Sequence, residues 1–318
     1  MIGVANPTID PGGLVDADLD TLATALYVKI DDELKMRPEL GRPRPEIGLC
    51  PKLSDAELLT LAVIQALLGF SSETRFLRHA SAHLRHLFAY VPGQSGYNKR
   101  LRRAAAQLQG VIRLLTRESE SFFDDTWLVD STPVECGRSR ETVKRSDLAG
   151  IAGYGYCASH SRYFWGLRLH LVCTPAGLPI AFALAHPKTD EREVLRHLLE
   201  TDPGLLGGRK GQVILADKGY RSAELEVFFN EKGVSFLRPA MKSEAQRPGA
   251  RFLKPLRQII ESVNQTLKGQ LDLERHGGRT PTGVVTRVLQ RLLALTAAIW
   301  HNEQIGARPV RSLLAYDH

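Results

Sequence analysis

Past residue 126 the spacing of apolar residues changes from helical to strand-like, and the order of elements that follows is the strongest constraint on the fold. "TWLVDSTPV" is a β-rich run. "YFWGLRLHLVCT" and "LPIAFALAH" make two strands around a Pro/Gly turn, a hairpin signal. "TDEREVLRHLLE" is a capped helix, "GQVILAD" a buried strand and "RSAELEVFFNEKG" a helix with a Gly stop. "VSFLRP" is a further strand, and "RQIIESVNQTLKGQ" (257–270) an amphipathic helix. The order β-β-β-α-β-α-β-α predicts an α/β domain over 126–318. A last helix, opening at Thr280-Pro281 and running to about Asn302, is expected to pack on it.

Residues 1–125 read as all-helical. Helical spacing covers 14–35, and a Pro-rich connector follows. Ser54-x-x-Glu57 is a capping box ahead of an apolar run that ends at Gly69. Two more helices are predicted, over 73–88 and as one piece over 97–115. Charge is distributed unevenly. The chain of 318 residues carries 42 Lys and Arg against 35 Asp and Glu, a net charge of +7. From Arg75 to Arg117 there are nine Lys or Arg and no acid, and from Lys242 onward twelve against six. Two basic regions around a near-neutral centre suit a chain that holds nucleic acid from two sides. The front helices fit a helix-turn-helix reader of DNA, with Lys99, Arg100, Arg102 and Arg103 as candidate contacts. They also fit a plain bundle with a solvated basic face.

The four cysteines (Cys50, Cys136, Cys157, Cys173) lack metal-finger spacing and read as reduced thiols. No signal peptide is evident, and the apolar "LLALTAAIW" is too short to span a bilayer. A cytoplasmic, nucleoid-associated protein with no membrane contact is expected.

Three acids disagree with local propensity. Asp130 follows "TWLV" in a strand, Asp217 ends "QVILA", and Glu261 sits beside Ile259 and Ile260 near the inner edge of its helix. An acid at the end of a buried strand is costly unless it is paired or binds a cation, and carboxylate oxygens are the ligands Mg²⁺ and Mn²⁺ prefer. If the two strands lie side by side, their ends bring Asp130 and Asp217 together, and the late helix can deliver Glu261. On an ideal helix Arg257 and Lys268 share the face of Glu261. Asp124 and Asp125 compete for the first position but precede the strand, and Asp190 reads as a helix cap near the site. His160, His170 and His186 lack metal spacing, and a structural role suits His170. "GIAGYGYCASHSR" is either a loop over DNA or a surface connection.

"LVDSTPV", "ILADKGY" and Arg257-x3-Glu261-x6-Lys268 together resemble the DDE transposases of bacterial insertion sequences. Lys254 stands where one subgroup's Tyr-Arg-Glu-Lys signature has its Tyr, so the subgroup stays open. The resemblance covers most of the chain. It implies an RNase H-like mixed sheet flanked by helices, with Asp130, Asp217 and Glu261 holding two Mg²⁺ ions that Mn²⁺ can replace. It also implies double-stranded DNA as partner, both terminal inverted repeats and target, and a homodimer or larger assembly. Lys254, Lys218, Lys268 and Arg257 would contact phosphates, Arg257 equally pairing with Glu261. A metal-dependent nuclease without strand transfer and an inactive DNA-binding derivative remain as alternatives.

Overall fold

The computed structural model describes residues 19–41, 50–157, 161–241, 244–245, 250–307 and 313. Residues 14–18 of the first expected helix, the connector 42–49, His160 and the Lys254 side chain lie outside the described residues.

Five helices come first: α1 (Leu19–Met36), α2 (Asp55–Leu67), α3 (Glu73–His83), α4 (Gln94–Arg103) and α5 (Ala105–Glu118). The capping box forms as its spacing dictates. Ser54 Oγ accepts the Glu57 N–H at 3.0 Å, and the Glu57 carboxylate accepts the Ser54 N–H at 2.5 Å. Nearly every residue of α2 is buried, so it serves as the spine of the helical layer. The stretch 97–115 is two helices and not one: the chain turns at Ala104, with φ −90° and ψ 11°. Tyr97 and Leu101 of α4 and Leu108, Val111 and Ile112 of α5 are buried on either side of that turn. The helix predicted over 73–88 stops at His83, capped by Leu84.

The sheet follows: β1 (Thr126–Gly137), a short α6 (Arg140–Arg145), β2 (Gly153–Cys157), β3 (Arg162–Cys173) and β4 (Pro179–Ala185). Next come α7 (Glu191–Thr201), β5 (Val213–Leu215), α8 (Ala223–Glu231) and β6 (Ser235–Leu237). The chain closes with α9 (Ala250–Gln265), a π turn (Thr266–Gln270) and α10 (Pro281–Gln304). β1 lies at the centre, antiparallel to β3 and parallel to β5. β4 and β2 pair antiparallel with β3, and β6 pairs parallel with β5. The order β4-β3-β1-β5-β6, with α7 and α8 making the crossovers, is the RNase H-like arrangement that the family resemblance implies. β2 is an addition: part of "GIAGYGYCASHSR" is a strand, because Gly153–Cys157 pairs with Arg162–Gly166.

Strands β1 and β3 pass so close that a Cβ on Gly166 would lie 2.0 Å from the Val134 carbonyl oxygen. Only glycine fits there. The register of the pair shifts just beyond, between Glu135 and Gly137.

α10 is long and apolar enough to cross a membrane, but 83% of its most apolar stretch is buried inside the fold. It packs chiefly on α5 and α2, with lesser contacts to α1, α4 and β4. The last helix, expected to pack on the α/β domain, thus makes its main contacts with the front helices instead. Residues buried on every side, from Val284 to Trp300 and including Arg287, Gln290 and Arg291, mark a helix surrounded by others. Within this layer Arg287 pairs with Glu73, whose carboxylate also accepts from Gln94 and Asn98 at 2.7 and 2.8 Å.

Candidate active site

The parallel ladder of β1 and β5 pairs Thr126 with Val213 and Leu128 with Leu215, and goes no further. Asp130 lies two residues past Leu128, and Asp217 two past Leu215. With a side-chain period of two, both carboxylates therefore stand at one level on one face of the sheet. Past Leu128 the edge of β1 opens into a cleft of about 450 Å³. Residues 128–133 form one wall, and Asp217 and Gly219 lie at the end of β5. From α9 and the π turn come Arg257, Ile260, Glu261, Asn264, Gln265 and Lys268.

α9 is anchored by its apolar stripe, with Ile260, Val263 and Leu267 all buried. That leaves Glu261 at the rim, its side chain 64% exposed. Asn264, one turn on, donates to Asp130 Oδ2 at 2.8 Å. The π turn rotates Lys268 away from the face an ideal α-helix would give it, yet Lys268 still lines the cleft.

Burial pushes the Asp130 carboxyl up to about 6; the Ser131 backbone N–H holds it down in part, while Glu191 and then Asp217 raise it further. Glu191 is a fourth carboxylate of the cleft. It opens α7 and reaches the opposite face of β1, where Glu191 Oε1 accepts from Ser131 Oγ at 2.8 Å and Arg168 Nη1 at 2.6 Å. Sequence spacing missed Glu191, Arg168 and Asn264. The one signal was position: Glu191 follows Asp190, which caps α7 and bonds Arg192. His170 is buried, its ring held down to about 4 by desolvation, and neither ring nitrogen has a hydrogen-bond partner. Asp125 precedes β1, and its carbonyl accepts the Val213 N–H at 2.7 Å.

The donor set suits a hard divalent ion. All the groups offer oxygen, and Asp217 Oδ1 is a buried atom with no hydrogen-bond partner. Among the described residues, however, no three of His, Cys, Asp or Glu already lie close enough to hold an ion. Arg257 Nη2 lies 3.5 Å from Asp217 and 4.0 Å from Glu261, a cation between the carboxylates.

The basic candidates divide. Lys99, Arg102, Arg103 and Lys218 are exposed. Arg100 is committed to the fold: it donates to the Leu53 carbonyl at 2.6 Å and pairs with Asp55 at 2.8 Å.

The central strand β1 and its parallel neighbour β5 thus both lead into Asp130 and Asp217 at one cleft of an RNase H-like sheet. Residues 121–297, more than half of the chain, match the family model described as the transposase DDE domain. The chain belongs to that family and is a transposase. Among solved structures, the chain resembles a piggyBac transposase synaptic complex with hairpin DNA, determined by cryo-EM. That likeness has 13% identity and a TM-score of 0.41, covering 95% of this chain and 78% of the other. No curated protein matches the chain.

Proposed function

We propose that this transposase cleaves DNA at the ends of an insertion sequence and joins the freed ends to target DNA. Asp130, Asp217 and Glu261 are its catalytic acids. They would hold two Mg²⁺ ions, with Mn²⁺ as a substitute. When bound, such ions activate the attacking hydroxyl and stabilise the leaving oxygen of a phosphodiester. The observation that carries this reading is the shared level of Asp130 and Asp217 at the mouth of the cleft, with Glu261 on its wall.

The chain's own residues supply the rest. Asn264 donates to one oxygen of Asp130 and orients its carboxylate toward the cleft. Arg257, 41% exposed at the rim, can turn from Asp217 to a DNA phosphate. Lys268 in the cleft and Lys218 at its edge suit the strand being cut. Lys254, three residues before Arg257 in the sequence, is a further candidate for a phosphate contact. The division of labour follows the chain: residues 1–125 bind DNA through Lys99, Arg102 and Arg103, while 126–318 carry the chemistry. Work on paired element ends calls for a homodimer or larger assembly.

A labelled duplex carrying the element's own end, incubated with supercoiled target and Mg²⁺, tests this. Cut ends joined to target support transposition. Cutting without joining leaves a nuclease.

A further inference from the structure

The β2–β3 arm displays three tyrosines on one face. In Gly153-Tyr154-Gly155-Tyr156 the period of two sets the tyrosines on one side and the glycines on the other. The glycine side is seated tightly. A Cβ on Gly155 would lie 2.6 Å from Phe164 and 2.7 Å from Pro187, and one on Gly153 2.1 Å from His186. Tyr156 pairs with Tyr163 across the strands and Tyr154 with Trp165, and paired residues share a face. Tyr154, Tyr156 and Tyr163 are 53%, 47% and 78% exposed, and the rings of Tyr156 and Tyr163 lie 5.0 Å apart.

By alternation along β3, Tyr163 and Trp165 stand on the side of Leu171, the cross-strand partner of Asp130, so the tyrosine face continues the face of that carboxylate. The other side of the arm lines the cleft through Cys157 and Arg168, and Arg168 Nη2 donates to the Tyr156 carbonyl at 3.0 Å. Lys and Arg outnumber acids beside the arm: five against two between Arg138 and Arg162, with Glu135 and Glu274 pairing with Arg162. The side chains of Arg138, Lys144 and Arg145 are 73%, 73% and 84% exposed.

We propose that Tyr154, Tyr156 and Tyr163 form a stacking platform for unpaired nucleotides of the DNA strand that enters the carboxylate cleft. This rests on the DNA-cutting function proposed above. Tyrosine faces stack on bases of any identity, provided the base face is free, and paired duplex bases present only their edges. Three side chains are too few for a stable dimer, which needs roughly 800 Å² per partner. The flanking positive charge also repels a second copy and attracts a phosphate chain.

The test is equilibrium binding of the full chain to two labelled duplexes, one blunt and one with a three-nucleotide single-stranded overhang. Wild type is compared with Tyr163→Ala, Tyr156→Ala/Tyr163→Ala and Tyr163→Trp. The expected result is roughly tenfold weaker overhang binding per stacked base lost. Blunt-duplex binding stays unchanged, and Tyr163→Trp retains the wild-type affinity. Equal losses on both duplexes, or no loss on the overhang, overturn the platform and leave the DNA-cutting function standing. A wild type that binds neither duplex overturns both. A variant that converts a wild-type dimer to monomer assigns the face to a second copy and overturns the platform alone.

Discussion

Asn264 Nδ2 sits 2.8 Å from Asp130 Oδ2, tying the helix of Glu261 to the central strand. It is a neutral donor, so it orients the carboxylate without neutralising it. The site therefore keeps a buried negative charge whose cost falls on the folded state.

That cost has a pH signature. The Asp130 carboxyl is raised from 3.8 to about 6 in the folded protein. The folded state thus holds its proton more tightly, and this group's contribution to stability falls as pH rises from 4 to 6 and stays low above that. Asp130→Asn removes the penalty. In EDTA at pH 7.5 the variant should be more stable than wild type by on the order of 3 kcal/mol in urea denaturation. Below pH 4 the two should converge. Equal stabilities at both pH values would contradict the buried charge.

Divalent cations should relieve the same penalty. Mn²⁺ is expected to raise the melting temperature of wild type and to do so weakly for Asp217→Asn. Because Arg257 competes for Asp217 and Glu261, Arg257→Gln should bind Mn²⁺ more tightly than wild type when DNA is absent. Titration followed by Mn²⁺ electron spin resonance reads this directly. A weaker affinity in the variant would show that Arg257 does not block the ion.

The pair formed by Arg287 and Glu73 is 11% and 7% exposed at its side chains. Glu73→Gln strands a buried guanidinium and should cost about 3–5 kcal/mol by denaturant unfolding. Glu73→Gln/Arg287→Met should recover most of that loss. A double variant as unstable as the single one would place the damage elsewhere.

The basic residues of α4 should separate by assay. Lys99→Gln, Arg102→Gln and Arg103→Gln should each lower the salt slope of DNA binding by about one unit. Arg100→Gln should leave the slope alone and lower the melting temperature, since Arg100 holds the start of α2.

Much of this was legible in the sequence, for a physical reason. Asp130 and Asp217 stood out because an acid in a buried strand run contradicts the run, and a contradiction of that kind is local. Their shared level on the sheet followed once β1 and β5 were taken as neighbours. Glu191 and Arg168 were invisible because each looks ordinary in its own element: an acid in a helix's first turn and a polar residue in a strand. Only the sheet's curvature and the seat of α7 bring them to Asp130 and Ser131. The break at Ala104 was hidden for a related cause. Alanine favours helix, and the turn there is imposed by packing, as α4 contacts α2 and α3 while α5 lies along α10. The partner of α10 was equally hidden, because a helix buried on every side does not say which neighbours surround it.

The most direct test of the three acids is single-turnover cutting of a labelled element-end duplex by wild type, Asp130→Asn, Asp217→Asn and Glu261→Gln, in Mg²⁺ and in EDTA. The account predicts that wild type cuts only with the metal. All three variants should bind the duplex with unchanged affinity and cut at least a hundredfold more slowly, a loss of roughly 3 kcal/mol of transition-state stabilisation or more. Any one variant that cuts as fast as wild type would remove that acid from the site and contradict the account.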